Sequence, residues 1–138
     1  MLDYSLESAL VEFLQTNPAL AEVHLFTSHD DEEHALPAVT VTSKSEPLAG
    51  SSEVFRADVS LLIENEAHDH APKEHAALVE KVRFQFANRF AAMTAINGQG
   101  QVHIYGYVFM PSTKDVDGMR FRTTLALKVG YGAVDTNP

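Results

Sequence analysis

Residues 54–64 alternate in a way that few folds can accommodate. In this stretch Phe55, Ala57, Val59, Leu61 and Ile63 fall on one side of an extended chain. Arg56, Asp58, Ser60 and Glu64 fall on the other, with Leu62 the only apolar residue among them. Side chains alternate across a strand, so Val54–Glu64 reads as a half-buried strand with one wet face. A strand of this kind must hide its apolar side against another layer. A polar loop follows it, and then a long helical pattern from Pro72 to Met93 in which Leu78, Val82, Phe86, Phe90 and Met93 form one apolar stripe. Glu80, Lys81, Arg83, Asn88 and Arg89 lie largely off that stripe. Neither element can bury its apolar side alone, so the helix is the natural cover for the strand.

The remaining chain supplies more of the same two layers. Leu2, Leu6, Ala9, Leu10, Phe13 and Leu14 recur at three- and four-residue steps, which predicts a helix over Leu2–Gln15 closed by Asn17-Pro18. Val23–Thr27 reads as a short strand, and Leu36–Ser43, with Pro37 at its start, as another. Asn97-Gly98-Gln99-Gly100 ends the helical region. Val102–Met110 is strand-like, with Gly106 suggesting a bulge. Val102, Ile104, Val108 and Met110 are expected on one face, with His103, Tyr105, Tyr107 and Phe109 on the other. Pro111–Gly118 reads as a turn leading into a last alternating strand, Met119–Tyr131, which pairs antiparallel with Val102–Met110. The expected architecture is α+β: a mostly antiparallel sheet of four to five strands with two helices on one face. It forms a single domain over residues 1–132, followed by a tail at 133–138.

Composition narrows the function classes. The 138 residues carry a formal net charge of −9, from 19 Asp and Glu against 10 Lys and Arg. Affinity for duplex DNA comes mainly from cations on phosphates, so a chain this acidic is a poor nucleic-acid binder. With no cysteine there are no disulfides and no thiolate metal sites, which suits a reducing compartment. No apolar run approaches the ~20 residues that a membrane helix needs. Met1–Ser5 lacks the basic and apolar regions of a signal peptide, so none is expected.

The histidines look most like a site. His68, His70 and His75, with Glu66 and Glu74 nearby, offer metal-ligand atom types at close spacing. The pattern begins like a metallo-β-lactamase motif, but Ala71 and Lys73 stand where further ligands would follow. No zinc signature is complete, and these side chains read as solvated loop histidines. The contiguous Asp30, Asp31, Glu32 and Glu33 lack the alternate spacing and the glycine of a calcium loop. Neither a nucleophile elbow nor a glycine-rich phosphate loop is present. The expectation is therefore no enzyme and no cofactor.

The wet side of the sheet is more informative. Arg56 and Asp58 on the central strand, and Arg120, Arg122 and Lys128 on the last, gather much of the scarce positive charge. Asp115 and Asp117 lie in the preceding turn. Such a face suits either plain solvation or a subunit interface, where arginine is enriched.

The order of elements and several short strings resemble the tail terminator, or tail completion, proteins of long-tailed bacteriophages, of the lambda-like minor tail protein U type. The strings are the strand Leu36-Pro37-Ala38-Val39-Thr40-Val41, the long strand Val54–Glu64, the helix Pro72–Met93 and Tyr105-Gly106-Tyr107. The acidic turn Asp115–Gly118 and the last strand closing on Tyr131 complete them. The resemblance implies a non-enzymatic assembly protein of the virion, made in the host cytoplasm. It implies a hexameric ring of self copies that caps the tail tube protein, ends its polymerisation and meets the head–tail connector protein. DNA would pass through the lumen without specific binding, and no membrane is involved. By position, 45–53, 65–75 and 111–118 would be the contact segments. The competing readings are a small metal-dependent enzyme built on His68, His70 and His75, and another α+β connector or binding module.

Overall fold

A computed structural model of the protein describes residues 2–30, 35–48, 53–68, 71–117 and 119–133. The elements follow as α1 (Leu2–Gln15), β1 (His24–Thr27), β2 (Ala38–Pro47), β3 (Val54–Glu66), α2 (Ala71–Gln85), α3 (Arg89–Gly98), β4 (Val102–Asp117) and β5 (Arg120–Ala133). A short 3-10 turn at Pro18–Leu20 follows α1. The five strands make one sheet in the spatial order β1-β2-β3-β5-β4. The alternating strand singled out from the sequence therefore lies in the middle. Its neighbours β2 and β5 run antiparallel to it, as do β4 and β5 to each other. β1 pairs parallel with β2, so the sheet is mixed, with its one parallel contact at the rim.

The alternation does what it promised. Ala57, Val59, Leu61 and Ile63 are buried, and Arg56 and Asp58 are exposed. In register, Val59 lies opposite Leu127 and Leu61 opposite Leu125, while Val41 flanks Leu61 on the other side. These apolar rows form one core with Leu6, Leu10 and Leu14 of α1, Leu78 and Val82 of α2, and Ile96 of α3. Truncating a fully buried member such as Leu61 to alanine costs ~2–5 kcal/mol.

One buried acid seats α1. Glu7 is 1% exposed. Its carboxylate accepts the Ser28 backbone N–H at 2.8 Å and hydroxyl at 2.7 Å. It also accepts the Ser43 backbone N–H at 3.0 Å and hydroxyl at 3.2 Å. A buried carboxylate needs such donors, and here they tie the helix to the end of β1 and the middle of β2.

Two expectations fail at specific residues. The helix expected from Pro72 to Met93 is two helices, so among the described residues three α-helices and not two cover the sheet. α2 stops at Gln85, and Asn88 starts α3 by accepting the Ala91 N–H at 3.1 Å from an extended backbone. An asparagine that caps a new helix competes with continuing the old one. The break turns Phe90 outward to 82% exposure, whereas Phe86 stays in the core. Second, the expected turn at Pro111–Gly118 is mostly strand, because β4 runs on to Asp117; Gly118 lies outside the described residues.

β4 also swaps faces. The expected bulge at Gly106 is present as a register shift between Ile104 and Gly106. Beyond it Tyr107 is buried and Val108 exposed, the reverse of an unbroken alternation. The Tyr107 hydroxyl donates to the Phe86 carbonyl at 2.5 Å. Burial pushes that phenol above its usual pKa. A second shift lies between Met110 and Thr113. β5 continues to Ala133, and residues 134–138 lie outside the described part.

Candidate assembly surface

The sheet has two unlike sides. The helices cover the side carrying Leu61 and Leu125, and among the described residues no helix covers the other. Strand register sets the rows on this open face. Lys44, Asp58, Lys128 and Val108 stand side by side, and Glu46 lies opposite Arg56. Next come Thr42, Ser60, Ala126 and Met110, then Thr40, Leu62, Thr124 and Thr113. At the far end Glu64, Arg122 and Asp115 align, with Glu66, Arg120 and Asp117 beyond them. Charges of alternating sign thus bracket a middle band that contains Leu62 and Met110, with Val108 at the end of the Lys44–Asp58–Lys128 row beside it.

The charges are paired along these rows. Arg56 donates to Glu46 at 2.7 Å across β2 and β3. That hydrogen bond holds the guanidinium above its usual pKa. Arg122 grips Asp115 with two bonds of 2.8 Å, and hydrogen bonding to the guanidinium keeps the Asp115 carboxyl below the usual range. Arg120 reaches diagonally to the buried Glu64 at 3.3 Å, since its register partner is Glu66. Asp58 and Lys128 are directly opposite one another. Asp117 stands opposite Arg120 in the ladder, and its side chain lies outside the described residues. A depression of 270 Å³ opens between Leu62, Thr113, Lys114, Asp115, Arg122 and Thr124.

All seven interface residues expected from sequence therefore belong to the strands β3, β4 and β5. Asp115 and Asp117 belong to strand β4 and not to a turn, and Asp115 is exposed. Sequence reasoning missed the contributions of Lys44, Glu46, Val108 and Met110. The first two follow from extending β2 to Pro47; the last two follow from the face swap at Gly106. Of the three expected contact loops, 111–117 is strand, and 71–75 opens α2. The described part of 45–53 includes the end of β2.

The histidines part company. His68 is exposed and lies 3.0 Å from Glu74. His75 is buried in α2, with Nδ1 2.6 Å from the Asn65 side-chain oxygen and Nε2 2.7 Å from the Thr123 hydroxyl. The neutral ring satisfies both partners by donating from Nδ1 and accepting at Nε2. Desolvation, aided by the Lys114 charge, lowers its pKa. His75 thus clasps the start of α2 to β3 and β5. His70 lies outside the described residues, and among the described residues no three metal-ligand side chains converge. A cleft of 420 Å³ runs beside His75, with Arg83, Lys114 and Phe121 on its walls.

No protein-family model and no curated protein sequence matches the chain. Its backbone is similar to that of a solved chain described as "Virion of native gene transfer agent (GTA) particle", with a TM-score of 0.60 and 13% sequence identity. The match covers 93% of this chain and 95% of that one, so the likeness of fold runs end to end.

Proposed function

We propose that the protein is a structural component of a virion: a tail completion protein whose copies form a ring on the finished tail tube, stop its growth and receive the head connector. The observation that carries this reading is the end-to-end likeness of fold to a virion chain. The open sheet face fits the same role. It presents paired arginines and carboxylates around an exposed apolar band, the chemistry of a surface that meets other protein. The net charge of −9 suits a lumen that DNA passes without adhering. Hexamer stoichiometry, the tube protein, the connector and residence in the neck of the particle belong to this proposal.

Electron microscopy of particles assembled with and without the protein tests it. The expected result without it is tubes of uncontrolled length that fail to join heads, repaired by adding the purified chain. Tails of normal length, joined to heads in its absence, would overturn the proposal. The band around Arg120 and Arg122 is the part of the surface assigned to these contacts.

A further inference from the structure

We propose that the cleft between α2 and β4 is a binding site for a carboxylate, clamped from opposite walls by Arg83 and Lys114. The site is independent of the tail completion role.

The cleft exists because β4 runs on past the cover that α2 gives the sheet. α2 rests on β3 and β5. Lys114 lies opposite the buried Thr123 in the ladder, so it stands on the helix side of β4. The space between the helix flank and this end of the strand measures 420 Å³. That is within the ~300–1,000 Å³ of small-ligand sites. Arg83 lines it from α2, and Lys114 and Ser112 line it from β4. Val79 and Phe121 give it apolar surface. The buried His75 and Thr123 form its floor, bonded to each other, Nε2 to hydroxyl, at 2.7 Å. The Lys114 charge is felt at that floor: after the larger effect of desolvation, it lowers the imidazole pKa.

Two cations that face one space repel each other unless an anion stands between them. Among the described residues neither Arg83 nor Lys114 forms an ion pair. Asp115, next to Lys114 in the chain, lies on the opposite face of the strand and is held by Arg122. Glu80 lines the same cleft one turn before Arg83, and among the described residues it forms no ion pair either. The lining therefore holds two cations against one acid. That balance suits a singly charged carboxylate and disfavours a dianionic phosphate. A guanidinium can donate to both carboxylate oxygens, and an ammonium adds a point charge. Val79 and Phe121 suit a short aliphatic stem behind the carboxylate.

A carboxylate reaches such a cleft as a free small acid or on the side chain of a bound polypeptide. Glu80 and Arg83 also edge a groove of 590 Å³ that holds Phe109 and Phe84, the latter 73% exposed. An acidic side chain beside an apolar one would fill both spaces, which favours the polypeptide.

NMR titration of the full chain tests this. The probes are butyrate, the peptide acetyl-Leu-Ala-Glu-Ala-Leu-amide, and the same peptide with Gln in place of Glu. Butyrate and the Glu peptide are expected to shift the amides of Arg83, Lys114 and Thr123. Both should raise the His75 pKa, because a carboxylate offsets the Lys114 charge; Glu80 and Arg83 are the other charges lining the cleft. Arg83→Ala and Lys114→Ala are each expected to weaken binding ~10-fold or more. Should a variant fail to fold, the Gln peptide puts the same question to wild type: it should bind ~10-fold more weakly than the Glu peptide. A Glu peptide that binds more tightly than butyrate assigns the site to a polypeptide; butyrate binding as tightly or more so assigns it to a free acid. Binding undiminished in both variants, a Gln peptide equal to the Glu peptide, shifts scattered over other lysines and arginines, an unmoved His75 pKa, or no binding of either carboxylate at millimolar concentration would each overturn the site.

Discussion

The backbone amide of Ser43 donates to the carboxylate of Glu7 at 3.0 Å, joining the middle of β2 to a helix 36 positions earlier. The Ser28 amide does the same from the end of β1. Removing the acid strands the Ser43 amide in a buried place, while the Ser28 amide keeps its bond to the Val41 carbonyl at 2.9 Å. Glu7→Ala is expected to lower unfolding free energy by about 2–4 kcal/mol in a urea titration. Glu7→Gln should be damaging too, because its amide nitrogen cannot accept from the N–H that faces it.

Asn88 separates two helices that periodicity alone would fuse. Its side chain accepts the Ala91 N–H, so Asn88→Ala should cost about 1 kcal/mol by loss of the cap. The loss should be local. Amide exchange is expected to speed up in the first turn of α3 more than in β3 or β5.

Tyr107 reaches the core only because β4 bulges at Gly106. Its hydroxyl is held by the Phe86 carbonyl, and Tyr107→Phe leaves that acceptor without its donor. A loss of about 1–2 kcal/mol is expected by chemical denaturation. Tyr107→Ala adds a cavity between Phe86 and the sheet and should cost ~3–5 kcal/mol.

His75 makes stability depend on pH. Its pKa is lower in the folded protein than the ordinary 6.5, first through desolvation and then through Lys114. The unfolded chain therefore takes up the proton before the folded one does. The stabilisation is complete above pH 6.5 and is lost as pH falls from there towards the folded pKa. The slope for one group cannot exceed ~1.4 kcal/mol per pH unit. Thermal melts between pH 7.5 and about 5 should show the decline. His75→Gln, which keeps a donor and an acceptor, should remove His75's share of it.

Arg122 and Asp115 form a bidentate pair on exposed strands. Exposed pairs add little to stability, so Arg122→Glu should leave the far-ultraviolet spectrum and the melting temperature close to wild type. Completion of tails by the purified variant should nevertheless fall sharply. Unimpaired completion would remove Arg122 from the contact surface. Arg120→Glu is the companion test, though its partner Glu64 is buried and its fold should suffer more.

The strands of this protein were legible because their residues alternate. Ala57 to Ile63 followed the burial pattern read from Val54–Glu64, as did Thr123 to Tyr131, whereas Glu64, read as wet, is buried and Phe55 only half-buried. The errors came where a local side-chain bond or a shifted register overrode the period. Asn88 split a helix whose apolar spacing continued, and this sent Phe90 outward. Gly106 signalled a bulge, but its consequence reaches Tyr107 and Val108, which exchange sides. The open sheet face was only half visible for a related reason. Arg56, Arg120 and Arg122 stand out in an acidic chain, whereas Glu46, Val108 and Met110 join them only through pairing across strands.

The two rims of the sheet differ in kind from its interior. β1 is four residues long, and the ladder of β4 is interrupted at Ile104/Gly106 and again at Met110/Thr113. Pro111, in the second interruption, has no amide hydrogen to give. The short β1, and the bulges and proline of β4, blunt both rims against pairing with a foreign strand. Copies joined in the proposed ring would therefore meet through side chains and not by extending the sheet.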